Sequence, residues 1–145
     1  MAIFKSKSRV ILTHAAFAPA DSTTYTFGVD TVAPVANGSP YSKIYPFQKG
    51  VIRSIHFQMM LNNGKTNSSS ENVGVYLRLN NTTDYTITTT ADFSGASRTN
   101  RQYTVTNLNV PLTVADFIEA KVITPAWSTN PVSVVMTMVV IIDSY

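Results

Sequence analysis

Eight carboxylates and two histidines supply the acid–base and metal-ligating chemistry of this 145-residue chain, which has no cysteine. His14 and His56 stand 42 positions apart, with no His-x-Glu or paired-His spacing that would build a metal site. The acids are single: Asp21, Asp30, Glu71, Asp84, Asp92, Asp116, Glu119 and Asp143. Glycoside hydrolysis needs two carboxyl groups about 5–10 Å apart, and Asp84 with Asp92 is the pair that loops would have to bring together. Gly28, Gly38, Gly64 and Gly95 stand alone, without a phosphate-cradling arrangement. On this reading the chain holds no catalytic constellation, no metal site and no cofactor, and His56, between Ser54 and Gln58, is a hydrogen-bonded structural histidine.

Recognition chemistry is easier to find. Two polar stretches, Lys65–Asn72 and Ala91–Asn100, have the composition of loops on a rigid scaffold, where binding residues concentrate. Asn67, Ser69, Asp92 and Arg98 are their candidate contact residues, with Tyr85 or Tyr103 as stacking surfaces. Trp127, between Pro125 and Pro131, is read as a core or interface anchor ahead of an exposed sugar platform, because large aromatics dominate buried contacts. The net charge of +3 has a location: Lys5, Lys7 and Arg9 lie in the first ten residues, and the remaining eight basic residues balance eight acids. This basic run reads as a solvated edge strand whose lysines oppose aggregation, as an arm docking on an acidic protein surface, or as a phosphate-binding segment.

The elements that must position these residues are strands. Ser, Thr and Asn fill 44 of the 145 positions, charged residues only 13%, and turn signals recur about every ten residues, the rhythm of a sandwich or barrel. Expected strands are Val10–Leu12, Tyr25–Val29, Tyr41–Phe47, Gly50–Leu61, Val73–Leu79, Tyr85–Thr90, Arg101–Leu108, Phe117–Ile123 and Val132–Ile142. In the fourth, Val51, Ile55, Phe57, Met59 and Leu61 lie on one face and Ser54, His56 and Gln58 on the other, while Ile52 and Arg53 break the pattern. Leu112–Lys121 approaches helical spacing, but flanking β-branched residues favour a turn at Val114–Asp116 and a strand from Phe117.

The closing strand is apolar on both faces from Val134 onward, which requires a cover on each side. The second cover is either another sheet of the chain itself or the same strand in a neighbouring subunit, a choice between a monomeric sandwich and an obligate oligomer. In the oligomer, Val135, Met136, Met138, Val139 and Ile141, with Trp127, are the expected subunit interface. No apolar segment nears the roughly 20 residues of a membrane span, and the first residues have too short an apolar run for a signal peptide. Synthesis in a cytoplasm, with neither membrane nor nucleic acid as partner, is the expectation. Four Asn-x-Ser/Thr matches carry no weight in so Asn- and Ser-rich a chain.

Phe47-Gln48-Lys49-Gly50-Val51-Ile52-Arg53-Ser54-Ile55, the run Leu108–Lys121 and the closing apolar strand together resemble the small jelly rolls related to tumour necrosis factor and complement C1q. Such domains recur in capsid decoration, head-fibre and tail proteins of tailed bacteriophages. Leu112-Thr113-Val114-Ala115-Asp116-Phe117-Ile118 stands where that family has a Leu-x-x-Gly-Asp-x-(Val/Ile)-like element, with Ala115 at the glycine. Val73–Tyr85 also looks like the phage members. The resemblance implies an all-β antiparallel jelly-roll sandwich with an extended N-terminal arm: residues 1–40 as capsid-docking arm and first strands, residues 41–145 as trimerisation domain. It implies a homotrimer in the virion, a decoration or cement protein bound to the major capsid protein or another virion protein. The alternative is a fibre or tail tip that binds a receptor or host-surface glycan.

Overall fold

Alternation of period two decides nearly every element. The computed structural model describes residues 6–29, 35–36, 40–63, 71–92 and 100–145. Its strands are β1 (Ser6–Phe17), β2 (Thr24–Phe27), β3 (Val35–Ala36), β4 (Gly50–Asn63), β5 (Val73–Leu79), β6 (Thr83–Ala91), β7 (Asn100–Val105), β8 (Val110–Leu112), β9 (Ile118–Ile123) and β10 (Ser133–Ser144). A single 3-10 turn, Pro40–Ser42, is the helical exception among the described residues. Two antiparallel sheets result, ordered β1-β10-β4-β7, with β8 also on β4, and β3-β2-β9-β5-β6. The protein is an all-β sandwich.

The central strands explain the core. β10 is flanked by β1 and β4, and its even-numbered residues Val134, Met136, Met138, Val140 and Ile142 point inward and are buried. They meet Ile52, Ile55, Phe57, Met59 and Leu61 of β4 and, from the other sheet, Val75, Leu77, Ile118, Ala120, Val122 and Phe27. The interruption of pattern at Ile52 and Arg53 is a β-bulge. Ile141 pairs with Ser54 but Ile142 with Ile52, so Arg53 is an extra residue, and Ile52 takes the inward phase in place of Val51, which the alternation puts on the core face.

β5 and β6 join through Leu79–Thr82, closed by a Thr82 N–H to Leu79 O bond of 3.1 Å. Asn80 and Asn81 sit there at φ of 53° and 61°, the two positive values a type I′ hairpin requires and that Asn tolerates. The expected turn before β9 forms as well, with Asp116 N–H donating to Thr113 O at 3.2 Å. Ala115 is not among the residues with positive φ, so this turn does not demand the glycine that the family pattern carries.

Three expectations are corrected. Tyr41–Phe47 is no strand: after the 3-10 turn, Ile44 makes one bridge to Ile118, with both backbone bonds at 2.9 Å, taking up the line of β2 beyond Phe27. Pro46 and the absence of alternation account for it. β8 went unforeseen because Pro111 interrupts the short run; its side chain faces outward while Val110 and Leu112 turn into the core. Finally, β1 and β2 are strands of the two sheets, so a boundary at residue 40 cuts through one sandwich and does not free an arm.

Candidate functional site

The outward face of the first sheet is built by the odd-numbered residues of β1 and β10 and the even-numbered residues of β4 from Ser54 onward. Register aligns Ile11, Val139, His56 and Thr104 in one row; Thr13, Thr137, Gln58 and Gln102 in the next; and Val135, Met60 and Asn100 beyond it. Arg9, Ile141 and Ser54 form the row on the other side. An apolar strip of Ile141, Val139 and Val135, widened by Ile11 and Met60, therefore runs along β10 on a face whose charged members, Lys7, Arg9 and Asp143, gather at the end where β1 begins. Ile11 is about half exposed and the rest are half-buried. His56 is held by hydroxyls at both ring nitrogens, Ser54 Oγ at 3.3 Å and Thr104 Oγ1 at 3.1 Å, the structural role expected of it. Beside it is a shallow cavity of about 220 Å³ lined in part by Gln58, Tyr103, Thr137 and Val139.

The expected interface residues are thereby divided. Val135, Val139 and Ile141 face outward and remain available. Met136 and Met138 do not: they point into the sandwich and are buried within one chain. Trp127 is also core, in a loop whose backbone is tied down by Trp127 N–H to Asp21 Oδ1 at 3.2 Å and Ser128 N–H to Glu71 Oε1 at 2.5 Å. Sequence reasoning missed Ile11 and Met60, whose place opposite Val139 and Val135 depends on register.

The outward face of the second sheet is its opposite in chemistry. Asp84 accepts from Arg78 Nε at 2.8 Å and from Lys121 Nζ at 2.5 Å, and the Lys121 ammonium lies 5.4 Å from the Tyr76 ring centre. The Arg78 hydrogen bond, helped by Lys121, holds the Asp84 carboxyl below its ordinary value of 3.8, against partial burial that works the other way. Glu119, fully buried, accepts from Ser42 Oγ at 2.5 Å. Asn80 Nδ2 donates to Asp116 at 2.7 Å, and this bond, with those from Thr113, lowers the Asp116 carboxyl too.

Asp84 and Asp92 lie at opposite ends of β6, eight residues apart, which is about 26 Å at 3.3 Å per residue. They are no carboxylate pair, and Asp92 is bridged to Arg101 at 3.5 Å. Tyr85 and Tyr103 pack their rings against the core and are not loop-tip platforms; burial, with Asp92 nearby, raises the Tyr103 phenol above its ordinary value of 10.0. Asn67, Ser69, Arg98 and Lys5 lie outside the described residues.

At the end of the sandwich where β1 begins and β10 finishes, Lys7, Arg9 and Lys49 have no ion pair among the described residues, while Asp143 is taken by Arg53 at 3.0 Å. Sequence spacing gave no acidic neighbour for Lys7, yet register places Asp143 opposite it. The same end exposes Tyr45, Tyr145 and, completely, Phe47. No group of three or more His, Cys, Asp or Glu side chains suited to a metal ion occurs among the described residues. No helix among them is long and apolar enough to cross a membrane. No protein-family model and no curated protein matches this sequence.

Proposed function

We propose that the chain is a virion structural protein: a homotrimeric decoration or cement protein that projects from a phage capsid shell. The observation that carries this is the outward apolar strip of Val135, Val139 and Ile141 with Ile11 and Met60, on a face where the rest of the chain is so rich in Ser, Thr and Asn. An apolar strip left uncovered by its own chain marks a protein contact, and closed rotational symmetry is the usual way for identical copies to cover one another. The strand order, β1-β10-β4-β7 against β2-β9-β5-β6 with β3 and β8 set aside, supports a jelly roll of the kind the sequence resembles. The basic end at Lys7, Arg9 and Lys49 is the side that meets the major capsid protein or another virion protein, through acidic groups on that partner.

Light scattering of the purified chain at micromolar concentration gives a mass three times that of the 15.9 kDa chain if the reading holds, and a monomer mass overturns it. Electron microscopy of particles carrying the protein places it on the shell. Shortening the 65–72 or 91–100 segment leaves host adsorption unchanged for a cement protein. Loss of adsorption with intact trimers turns the assignment to a receptor- or glycan-binding tip.

A further inference from the structure

We propose that the free edge of β1 is a strand-addition site for an extended partner segment in which acidic and apolar residues alternate. The inference deepens the proposed attachment to a larger assembly, and rests on it only for who supplies the segment.

β1 is the end strand of its sheet. On one side it pairs with β10; on the other, among the described residues, its only backbone bond is Thr13 N–H to Gly28 O at 3.0 Å. From Ser6 to Leu12 the outer row of backbone donors and acceptors is unpaired, the template on which an added strand forms. Beyond the Thr13 contact the two sheets part, and a groove of about 560 Å³ opens between β1 and the Ile44–Gln48 segment. Its walls include Ile142 from the inward face of β10, Val10, Ile44, Val29, Tyr45 and Phe47. The volume falls within the roughly 300–1,000 Å³ of ligand cavities, but a groove running beside a free strand edge suits an extended chain.

The two faces of β1 then specify the segment. Ser6, Ser8 and Val10 face inward toward the groove; Lys7, Arg9 and Ile11 face outward. A strand laid on this edge alternates in the same way. Its inward side chains enter the apolar groove, and its outward ones stand roughly 5 Å from Lys7, Arg9 and Ile11 as cross-strand neighbours. Among the described residues Lys7 and Arg9 have no ion-pair partner, so carboxylates at two successive outward positions complement them. The same charges argue against a second copy: two β1 edges paired together would set Lys and Arg against Lys and Arg.

The test screens the purified full-length chain against displayed decapeptides randomised at every position. Enriched peptides should alternate acidic with apolar residues, shift the backbone amide signals of Ser6–Ile11 and 44–48, and bind roughly tenfold more weakly to a Lys7→Glu/Arg9→Glu variant. Both side chains are exposed, so the variant keeps its fold. Phe47→Ser, which lowers one groove wall without touching the charges, should also weaken binding. In the free protein the edge-facing amides of Lys7, Arg9 and Ile11, which share the side of the Thr13 N–H, should exchange quickly with solvent. Slow exchange there would mean that the chain's own residues cover the edge, and would overturn the proposal. So would failure to enrich any peptide, enrichment of neutral or basic ones, or binding indifferent to the charge reversal. If trimers attach to particles while no peptide binds, this inference alone fails; if peptides bind but the protein is monomeric and absent from particles, the virion reading fails and the strand-addition site stands.

Discussion

The outward faces of the two sheets solve the same problem in opposite ways. On the second sheet Arg78, Asp84, Lys121, Glu119 and Ser42 satisfy one another, and the Pro40–Ile44 segment closes over part of them; that face is complete within one chain. On the first sheet Val135, Val139, Ile141 and Met60 are half-buried and Ile11 half exposed, with no covering segment among the described residues, and their polar neighbours are hydroxyls, amides, His56 and Arg9. Charge can be neutralised locally by a residue two strands away. Apolar surface can be relieved only by more surface, which a 145-residue sandwich has already spent on its interior. A face finished with ion pairs needs no partner; a face finished with valines is the one the proposed assembly would cover.

The largest effect comes from neighbours on opposite sides of β10. Met138→Asp places an unpaired charge in the core and should unfold the chain, since even Met138→Ala is expected to cost about 2–5 kcal/mol. Val139→Asp, one residue on, should leave thermal melting of the monomer nearly unchanged while abolishing self-association in light scattering. If Val139→Asp also unfolds the chain, the two faces are not distinct and the comparison fails.

A smaller effect tests the finished face. Asp84→Ala strands Arg78 and Lys121 and should cost about 1–3 kcal/mol in denaturant unfolding, with no change in oligomer mass. Both Asp84 and Asp116 have carboxyls lowered in the folded state, so their contribution is complete above the ordinary value of 3.8 and is lost as pH falls through the folded values. Stability should therefore be flat near neutrality and decline in acid. Asp84→Asn should shallow that decline, and an unchanged acid limb would remove Asp84 from the account. The smallest change is Ser42→Ala, which takes one hydroxyl from buried Glu119 and should cost roughly 1 kcal/mol, read as a lowered melting temperature.

What was legible in the sequence follows the same division. The alternation of β4, including the lapse at Ile52–Arg53, and the double-faced β10 both announced themselves, because period two is a local property. Which face of β10 looks inward was not legible: valine and isoleucine occupy both, and only pairing with β1 and β4 selects Met136 and Met138 for the core and Val139 and Ile141 for the outside. The Tyr41–Phe47 segment misled for the converse reason, its β-prone composition being overridden by the place it fills beside Ile118. The groove under β1 could not be read at all, since Ile142, Val29 and Phe47 meet only in three dimensions. Of the candidate site, the basic residues Lys7 and Arg9 were visible and their grouping with Lys49 was not.

The bulge in β4 makes Arg53 a place where the chain can change length. Removing Arg53 would bring Ser54 directly after Ile52 and leave an unbroken alternation through Ile55, Phe57, Met59 and Leu61, at the loss of the Asp143 ion pair, the Asn109 contact and the bond from Leu108 N–H to Arg53 O. Removing His56 three positions later would turn Phe57, Met59 and Leu61 out to solvent. A chain without Arg53 should still melt cooperatively where one without His56 does not. In a lineage descending from this sequence, the codon for Arg53 is one that can drop out while every core residue keeps its face.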